Sequence, residues 1–357
     1  MSSSLLENIK IILVVFSFVV LIMPVVMKIA KQVNAMDIPN ERKVHKEPMP
    51  RLGGLAIFLG FLLGYMLFCS QTPQMISILI GSFVLILVGM IDDINPIKPL
   101  SKFIGQTIAA IIVVYYGNIV MQDISAYGLY MNFGIFAKPI TIFFILGVIN
   151  CLNLIDGLDG LAGGIATIFF ITISIIISIM GIYNGLDAAL SLIMIGATLG
   201  FLVYNFHPAK IFMGDSGSMF LGYIISVISL LGFKNVTLTS FLVPILILAI
   251  PILDTLFAII RRLLKKESFA KADKEHFHHQ ILKRAGNQTK TVLIIYFIQI
   301  LFSSASIVYV LRNPKLGQII YIILLIIILW IILTTNIIFD RKKISEDIKK
   351  KIHKNKS

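Results

Sequence analysis

Long apolar blocks alternate with short polar segments from one end of this chain to the other. A helix needs about 20 apolar residues to cross ~30 Å of hydrocarbon, and blocks of roughly that length recur throughout. Eleven spans are predicted, near 9–29, 52–69, 75–91, 101–116, 138–152, 161–180, 187–204, 218–233, 239–260, 291–311 and 318–339. The block at 101–116 is the weakest, short and led by Ser101 and Lys102. These blocks leave no room for a large aqueous domain. The expected fold is therefore an all-α, polytopic integral membrane protein. One transmembrane domain covers 1–339, with 261–290 as its main aqueous loop, and a basic tail occupies 340–357. The segment 117–137 is predicted to form a small hairpin on the outer surface.

Composition agrees with that pattern. The 357 residues are 57% hydrophobic and only 14% charged, with a mean hydropathy of +0.93. A water-soluble domain carries roughly 25% charged residues. The net charge of +13 would suggest a nucleic-acid partner in a soluble protein, but here it reports topology. If the loop after the first span faces the cytoplasm, all the Lys and Arg but Lys10, Lys138, Lys234, Arg312 and Lys315 fall on the cytoplasmic side. That is the positive-inside pattern. It puts the N-terminus outside and the C-terminus inside, with the bilayer as partner and no nucleic acid. Cys69 and Cys151 fall near opposite ends of their spans, too far apart for a disulfide. The first block has the length of a span and no small-residue cleavage site after it, so it reads as a retained span rather than a signal peptide.

With the orientation set, the unusual polar residues gather at cytoplasmic span ends. Asp92 and Asp93 close the third span in GMIDDINP, and Asn150, Asn153, Asp156 and Asp159 follow in NCLNLIDGLDGLAGG. Asn205, His207, Phe212 and Asp215 lie in YNFHPAKIFMGDSGS, and His276, His278 and His279 in KADKEHFHHQILKRAG. Lys43, His45 and Arg51 follow the first span in RKVHKEPMPRLGG, and Lys102 opens the fourth. Each piece has a plainer reading. GDSGS could cap its own helix through Asp or Ser oxygens. The acids of DGLDG, three residues apart, would share a face if that stretch were helical. HFHH lacks a fourth ligand at ordinary zinc spacing. Asp254 lies within the ninth span, where an ionisable group is functional unless a partner such as Arg261 or Arg262 makes it structural.

Taken together the plain readings fail. Five aspartates converging on one cleft would raise one another's pKa values. A hard divalent cation removes that conflict, with Mg²⁺ expected and Mn²⁺ as the alternative. Mg²⁺ held by carboxylates beside basic side chains is a phosphoryl-transfer arrangement. The inference is a membrane enzyme joining a soluble nucleotide to a lipid. The competing class, a secondary transporter, calls for carboxylates at span centres and broken helices. Here all but Asp254 sit at inner ends.

The ordered set PRLGG, DD, NxxNxxDGxDGLAGG, PAKIFMGDSGS and HxHH, from about Arg42 to Arg284, resembles the polyprenyl-phosphate N-acetylhexosamine-1-phosphate transferases of glycosyltransferase family 4. These integral membrane enzymes move a sugar-1-phosphate from a UDP-sugar to undecaprenyl phosphate and release UMP. The resemblance implies Asp215 as Mg²⁺ ligand, with Asn153 and Asp156 as further candidates, and Asp92 and Asp93 as the catalytic pair facing the lipid phosphate. It implies Asn153, Asp156 and Asp159 in the nucleotide pocket, with Asn150 and Asn205 nearby and Phe212 stacked on uracil. Lys102 would meet a phosphate, and His276, His278 and His279 the sugar or diphosphate. Family members also carry a basic residue after the first span, a place that Lys43, Lys46 or Arg51 could fill, with His45 in the same segment. The eleventh span, the basic tail and HFHHQIL resemble the GlcNAc-1-phosphate transferases that start teichoic acid, O-antigen or related glycans. The alternative branch is the phospho-N-acetylmuramoyl-pentapeptide transferases of peptidoglycan synthesis. A departure is INPIKP after the acidic pair, where some relatives carry a third acid. The expected setting is the bacterial plasma membrane with the site on the cytoplasmic face; a homodimer is compatible with the sequence.

Overall fold

The computed structural model describes residues 2–39, 47–126, 129–181, 185–232, 248–265, 277–311 and 314–334. The apolar blocks among them are helices. In chain order they are α1 (Ser2–Gln32), α2 (Gly53–Phe68), α3 (Pro73–Ile94), α4 (Pro99–Ile111), α5 (Ala137–Ile155), α6 (Leu161–Met180), α7 (Leu186–Asn205) and α8 (Gly214–Gly232). They continue as α9 (Ala249–Lys265), α10 (Phe277–Ala285), α11 (Gln288–Leu311) and α12 (Pro314–Thr334). Eight described helices are long and apolar enough to cross a membrane, and Gly53–Phe68, Ala249–Ile259 and Lys315–Leu329 are shorter apolar ones. The polar start of the fourth block is resolved by Pro99 at the first position of α4, where its missing N–H costs nothing. The helix then continues as a π-turn over Ile112–Tyr116. Thr72 caps α3, accepting a 3.1 Å bond from the Met75 N–H, with Pro73 just inside the helix. The two short ribbons are β1 (Met36–Asp37) with β2 (Met49–Pro50), and β3 (Asp123–Ala126) with β4 (Leu129–Asn132). The second ribbon falls within the segment expected to form a hairpin. The first residues of the expected ninth span, 239–247, and the tail at 340–357 lie outside the described residues.

The helix at the centre is α8. It packs against α2, α3, α5 and α7, while α1 lies across α2 and α7, and α11 joins α6 to α12. Between helices already surrounded by lipid, association rests on close packing and polar contacts rather than on transfer from water. Phe220 of α8 meets Phe58 and Phe61 of α2 edge-on, with ring centroids 5.6 and 5.4 Å apart. Near its N-terminal start α8 comes closer still. A Cβ on Gly89 of α3 would stand 2.2 Å from the Ser216 Cα, so only a glycine permits this approach. The buried hydroxyls of Ser226 and Ser229 donate to carbonyls of their own helix, at 2.7 Å each.

Candidate active site

The site is registered by backbone. The Phe212 N–H donates to the Pro50 carbonyl (2.8 Å), and the Gly53 and Gly54 N–H groups donate to the carbonyls of Phe212 (2.9 Å) and Met213 (2.8 Å). The last two belong to the first turn of α2, which would otherwise leave them without partners. These bonds hold PRLGG alongside IFMGD and bring Arg51 to Asp215. The start of α8 is then capped from another helix. Asp93, at the end of α3, accepts from the Asp215 N–H (2.8 Å), the Ser216 N–H (3.1 Å) and the Ser216 hydroxyl (2.7 Å). GDSGS alone suggested a self-cap; the acceptor is instead a carboxylate 122 residues away. A carboxylate at a helix N-terminus also meets the positive end of the helix dipole. Gly214 makes this possible, with φ +75° and Asp93 Oδ2 lying 2.4 Å from where a Cβ would be.

Around this cap, one oxygen from each of Asp92, Asp93 and Asp215 lies within 4.8 Å of the others. Two cations bind the group together. Arg51 places Nε 3.2 Å from Asp93, Nη2 3.2 Å from Asp215 and Nη1 3.7 Å from Asp37. Lys102 places Nζ 2.7 Å from Asp215 and 3.0 Å from Asp92. Asp92 also accepts from the Ile97 N–H at 3.0 Å. Burial works to lower the Arg51 pKa, but the charges of Asp93, Asp215, Asp37 and Asp92 outweigh it and hold the guanidinium above its ordinary value. Three convergent carboxylates form an all-oxygen donor set, the chemistry that suits a hard divalent cation.

Two cavities meet at this cluster. The first, about 400 Å³, is lined by Asp37, Arg51, Asn153, the Asp156–Asp159 turn, Asn205, the Phe212–Asp215 segment, His279 and Gln288. The second, about 440 Å³, is lined by Pro99, Leu100, Lys102, Phe103, Gln106, Asn150, Asn153, Asp215 and Met219. Asn153 and Asp215 belong to both. One cavity is walled largely by polar groups. The other carries a single cation against an apolar wall.

The family profile "Glycosyl transferase family 4" matches residues 75–233, from α3 through α8. The chain is 44% identical over 316 residues to a probable undecaprenyl-phosphate N-acetylglucosaminyl 1-phosphate transferase of Bacillus subtilis, covering 87% of this chain and 86% of that one. It is 33% identical to a decaprenyl-phosphate N-acetylglucosaminephosphotransferase of Mycobacterium tuberculosis, covering 80% of this chain and 78% of that one. It is 27% identical to the undecaprenyl-phosphate alpha-N-acetylglucosaminyl 1-phosphate transferase of Escherichia coli K12, covering 82% of this chain and 81% of that one. The chain belongs to glycosyl transferase family 4.

In this family 4 chain the remaining predicted residues divide into those that face a cavity and those that hold the cavity walls. Asp156 ends α5 in a non-helical conformation (φ −76°, ψ 59°), so Asp156 and Asp159 are presented by a turn rather than by one helix face. Desolvation, and then the charge of Asp215, push the Asp156 carboxyl up to about 7, with Arg51 acting in the other direction. Asp159 accepts from the Ala209 N–H (3.2 Å) and pairs with His207 Nδ1 (2.7 Å), joining the two loops. Asn205 spans the same gap: its Oδ1 accepts from the Gly160 N–H and its Nδ2 donates to the Ile211 carbonyl, both at 2.9 Å. Asn153 Nδ2 donates to the Ser218 hydroxyl (2.8 Å), and Asn150 Nδ2 to Gln106 Oε1 (2.9 Å). His279 reaches the first cavity, while His278 is buried behind it. Lys43, His45, Lys46 and His276 lie outside the described residues.

Sequence reasoning missed Asp37, Gln106, Ser216, Ser218 and Gln288. Gln106 carried a signal, since a polar side chain at the depth of an apolar span seeks a partner. Asp37 in MDIPN and Gln288 at a helix start look like ordinary turn and helix-end residues, and only the fold brings them to the site.

Proposed function

We propose that this protein transfers N-acetylglucosamine-1-phosphate from UDP-GlcNAc to undecaprenyl phosphate, giving undecaprenyl-diphosphate-GlcNAc and UMP. The reaction takes place at the cytoplasmic face of the plasma membrane and is the first membrane step of a surface glycan. The observation that carries this reading is the pair of cavities sharing Asn153 and Asp215. A nucleotide sugar suits the polar cavity, with Phe212 as a stacking surface for the base and Arg51 facing the diphosphate. A lipid phosphate suits the second, with Lys102 at the anion and Leu100, Phe103 and Met219 against the first prenyl units. The names of the relatives support the same sugar and a polyprenyl phosphate acceptor, undecaprenyl phosphate in two of them and decaprenyl phosphate in the third.

Asp215 and Asp92 would hold a Mg²⁺ ion, with Asn153 and Asp156 at its margin and Asp93 fixing the start of α8 beside them. When bound, the ion supplies charge neutralisation for the diphosphate and the leaving UMP. The residues of this chain do the rest. Lys102 and Arg51 bring the two anionic substrates together against their mutual repulsion. An oxygen of the lipid phosphate forms a bond to the β-phosphorus as the bond from that phosphorus to the bridging oxygen breaks, and UMP leaves with the electron pair. Phosphate monoesters have a second pKa near 6, so at pH 7 the lipid phosphate is mostly a dianion and needs no strong base. Asp93, occupied by three α8 donors and Arg51, and Asp92, held by Lys102 and the Ile97 N–H, are poorly placed as covalent nucleophiles. Direct attack is the favoured route.

The test uses purified protein in detergent with undecaprenyl phosphate, Mg²⁺ and radiolabelled UDP-GlcNAc, with UDP-MurNAc-pentapeptide run in parallel. Label entering the organic phase from UDP-GlcNAc, with stoichiometric UMP, is the expected result. Transfer from the pentapeptide nucleotide alone would overturn the choice of donor. A burst of UMP without lipid, lost in Asp92→Asn, would overturn direct attack.

A further inference from the structure

Asp254 stands apart from the carboxylates of the cleft. It is buried in α9, and it is absent from the walls of both cavities. A carboxylate removed from water is costly unless protein groups compensate it. Facing its Oδ2 is His278 of α10, whose Nδ1 lies 3.6 Å away, with the two side chains only 2% and 3% exposed. The imidazole is pressed on its far side against the acidic turn. A Cβ on Gly157 would stand 2.6 Å from His278 Nε2 and 3.3 Å from Cε1, so the ring lies directly on the Gly157 backbone between Asp156 and Asp159. The ring of His279 follows at 4.3 Å between centroids, and His279 reaches the first cavity. α10 has only nine residues. A helix so short is not stable by its own hydrogen bonds, so its position is set by what its side chains grip.

We infer that Asp254 is a positioning residue of the donor pocket. It acts through His278, fixing the imidazole that supports the Gly157 turn and sets His279 at the cavity wall. This rests on the reading of the first cavity as the nucleotide-sugar site. Loss of the carboxylate frees His278, and the change is felt by the donor. The acceptor side, built on Lys102 and Phe103, stays as it was.

The experiment compares the purified full-length wild type with Asp254→Ala, Asp254→Asn, His278→Ala, the Asp254→Ala/His278→Ala double variant and Gly157→Ala. UMP release is followed at varied UDP-GlcNAc and at varied undecaprenyl phosphate, with a melting temperature for each protein. Asp254→Ala is expected to raise the donor KM about tenfold and to leave the acceptor KM within twofold. Asp254→Asn, which keeps an oxygen facing His278, is expected to stay within about threefold of wild type. The double variant is expected to match His278→Ala, because both changes cut one chain of contacts. Gly157→Ala displaces His278 from the other side and is expected to raise the donor KM even if Asp254→Ala does not fold. Multiplying effects in the double variant, or a loss confined to kcat, would overturn the assignment. So would an unchanged donor KM in both Asp254→Ala and Gly157→Ala. A wild type that releases no UMP from UDP-GlcNAc refutes the functional reading itself, a result distinct from any of these.

Discussion

Replacing Gly89 by alanine tests the geometry of the carboxylate cluster without touching a polar group. A Cβ there would stand 2.2 Å from the Ser216 Cα and 2.4 Å from its nitrogen, where ordinary contact begins at 3.4 Å. The α3–α8 gap must then open by about 1.2 Å, the difference between these distances. Ser216 is the residue whose N–H and hydroxyl reach Asp93, at 3.1 and 2.7 Å, and an opening of that size carries both beyond hydrogen-bonding distance. Hydrogen bonds to a charged acceptor contribute roughly 1.5–3 kcal/mol each, and overpacking costs typically about 1–3 kcal/mol. Misplacing reactive groups by ~1 Å costs on the order of 100-fold in rate. Gly89→Ala is therefore expected to lose about 100-fold in UMP release and to melt several degrees below wild type. The control is Gly147→Ala on α5, where a Cβ would meet nothing within 4 Å and activity should be unchanged. Wild-type activity in Gly89→Ala, within threefold, together with an unaltered melting temperature, would refute the argument that this contact sets the cluster.

Asp215→Ala should abolish both activity and the response to added Mg²⁺; an active variant that still responds to Mg²⁺ would remove Asp215 from the metal site. EDTA should silence the wild type, with Mg²⁺ or Mn²⁺ restoring it, as read by label transfer to the organic phase. Arg51→Lys keeps the charge, but a single ammonium cannot replace a fork that spans Asp37, Asp93 and Asp215. A loss of at least tenfold is expected, and full activity would show that charge alone suffices. Phe212→Ala should raise the UDP-GlcNAc KM about tenfold or more, since base–aromatic stacking contributes ~1–3 kcal/mol. Phe103→Ala should instead raise the undecaprenyl phosphate KM, and a reversal of these two effects would exchange the assigned cavities.

The helices were legible because each apolar block reports its own length. The sixth block, 161–180, coincides with α6, and the weak fourth block becomes α4 with a π-turn. The carboxylates were legible because five aspartates among glycines at span ends have no cheap explanation. What each carboxylate does was less readable. Asp92 and Asp93 are neighbours in sequence, yet Asp93 is consumed as the cap of α8 while Asp92 faces Lys102. That division depends on which side of α3 meets α8, a fact held in helix packing rather than in local composition. Asn205 reads as a nucleotide ligand, but its amide bridges Gly160 and Ile211, a tie that exists only once two loops lie side by side. Asp37 and Gln288 gave no periodic or motif signal at all.

The burial of α8 has a consequence for how the protein is made. Of its membrane-length segment 94% is buried within the protein, and its hydropathy of 1.4 is well below the 2.9 of α1. Its neighbours, rather than lipid, are its surroundings, which is why it tolerates Asp215 and four buried serines. Such a segment gains little by entering a bilayer alone. During synthesis it emerges after α2, α3, α5 and α7, the surfaces that receive it. This central helix is thus a late guest in a compartment prepared by the earlier ones. Faults on those receiving surfaces should first be visible to the cell as failed insertion and turnover of the chain, before any defect in chemistry can be measured.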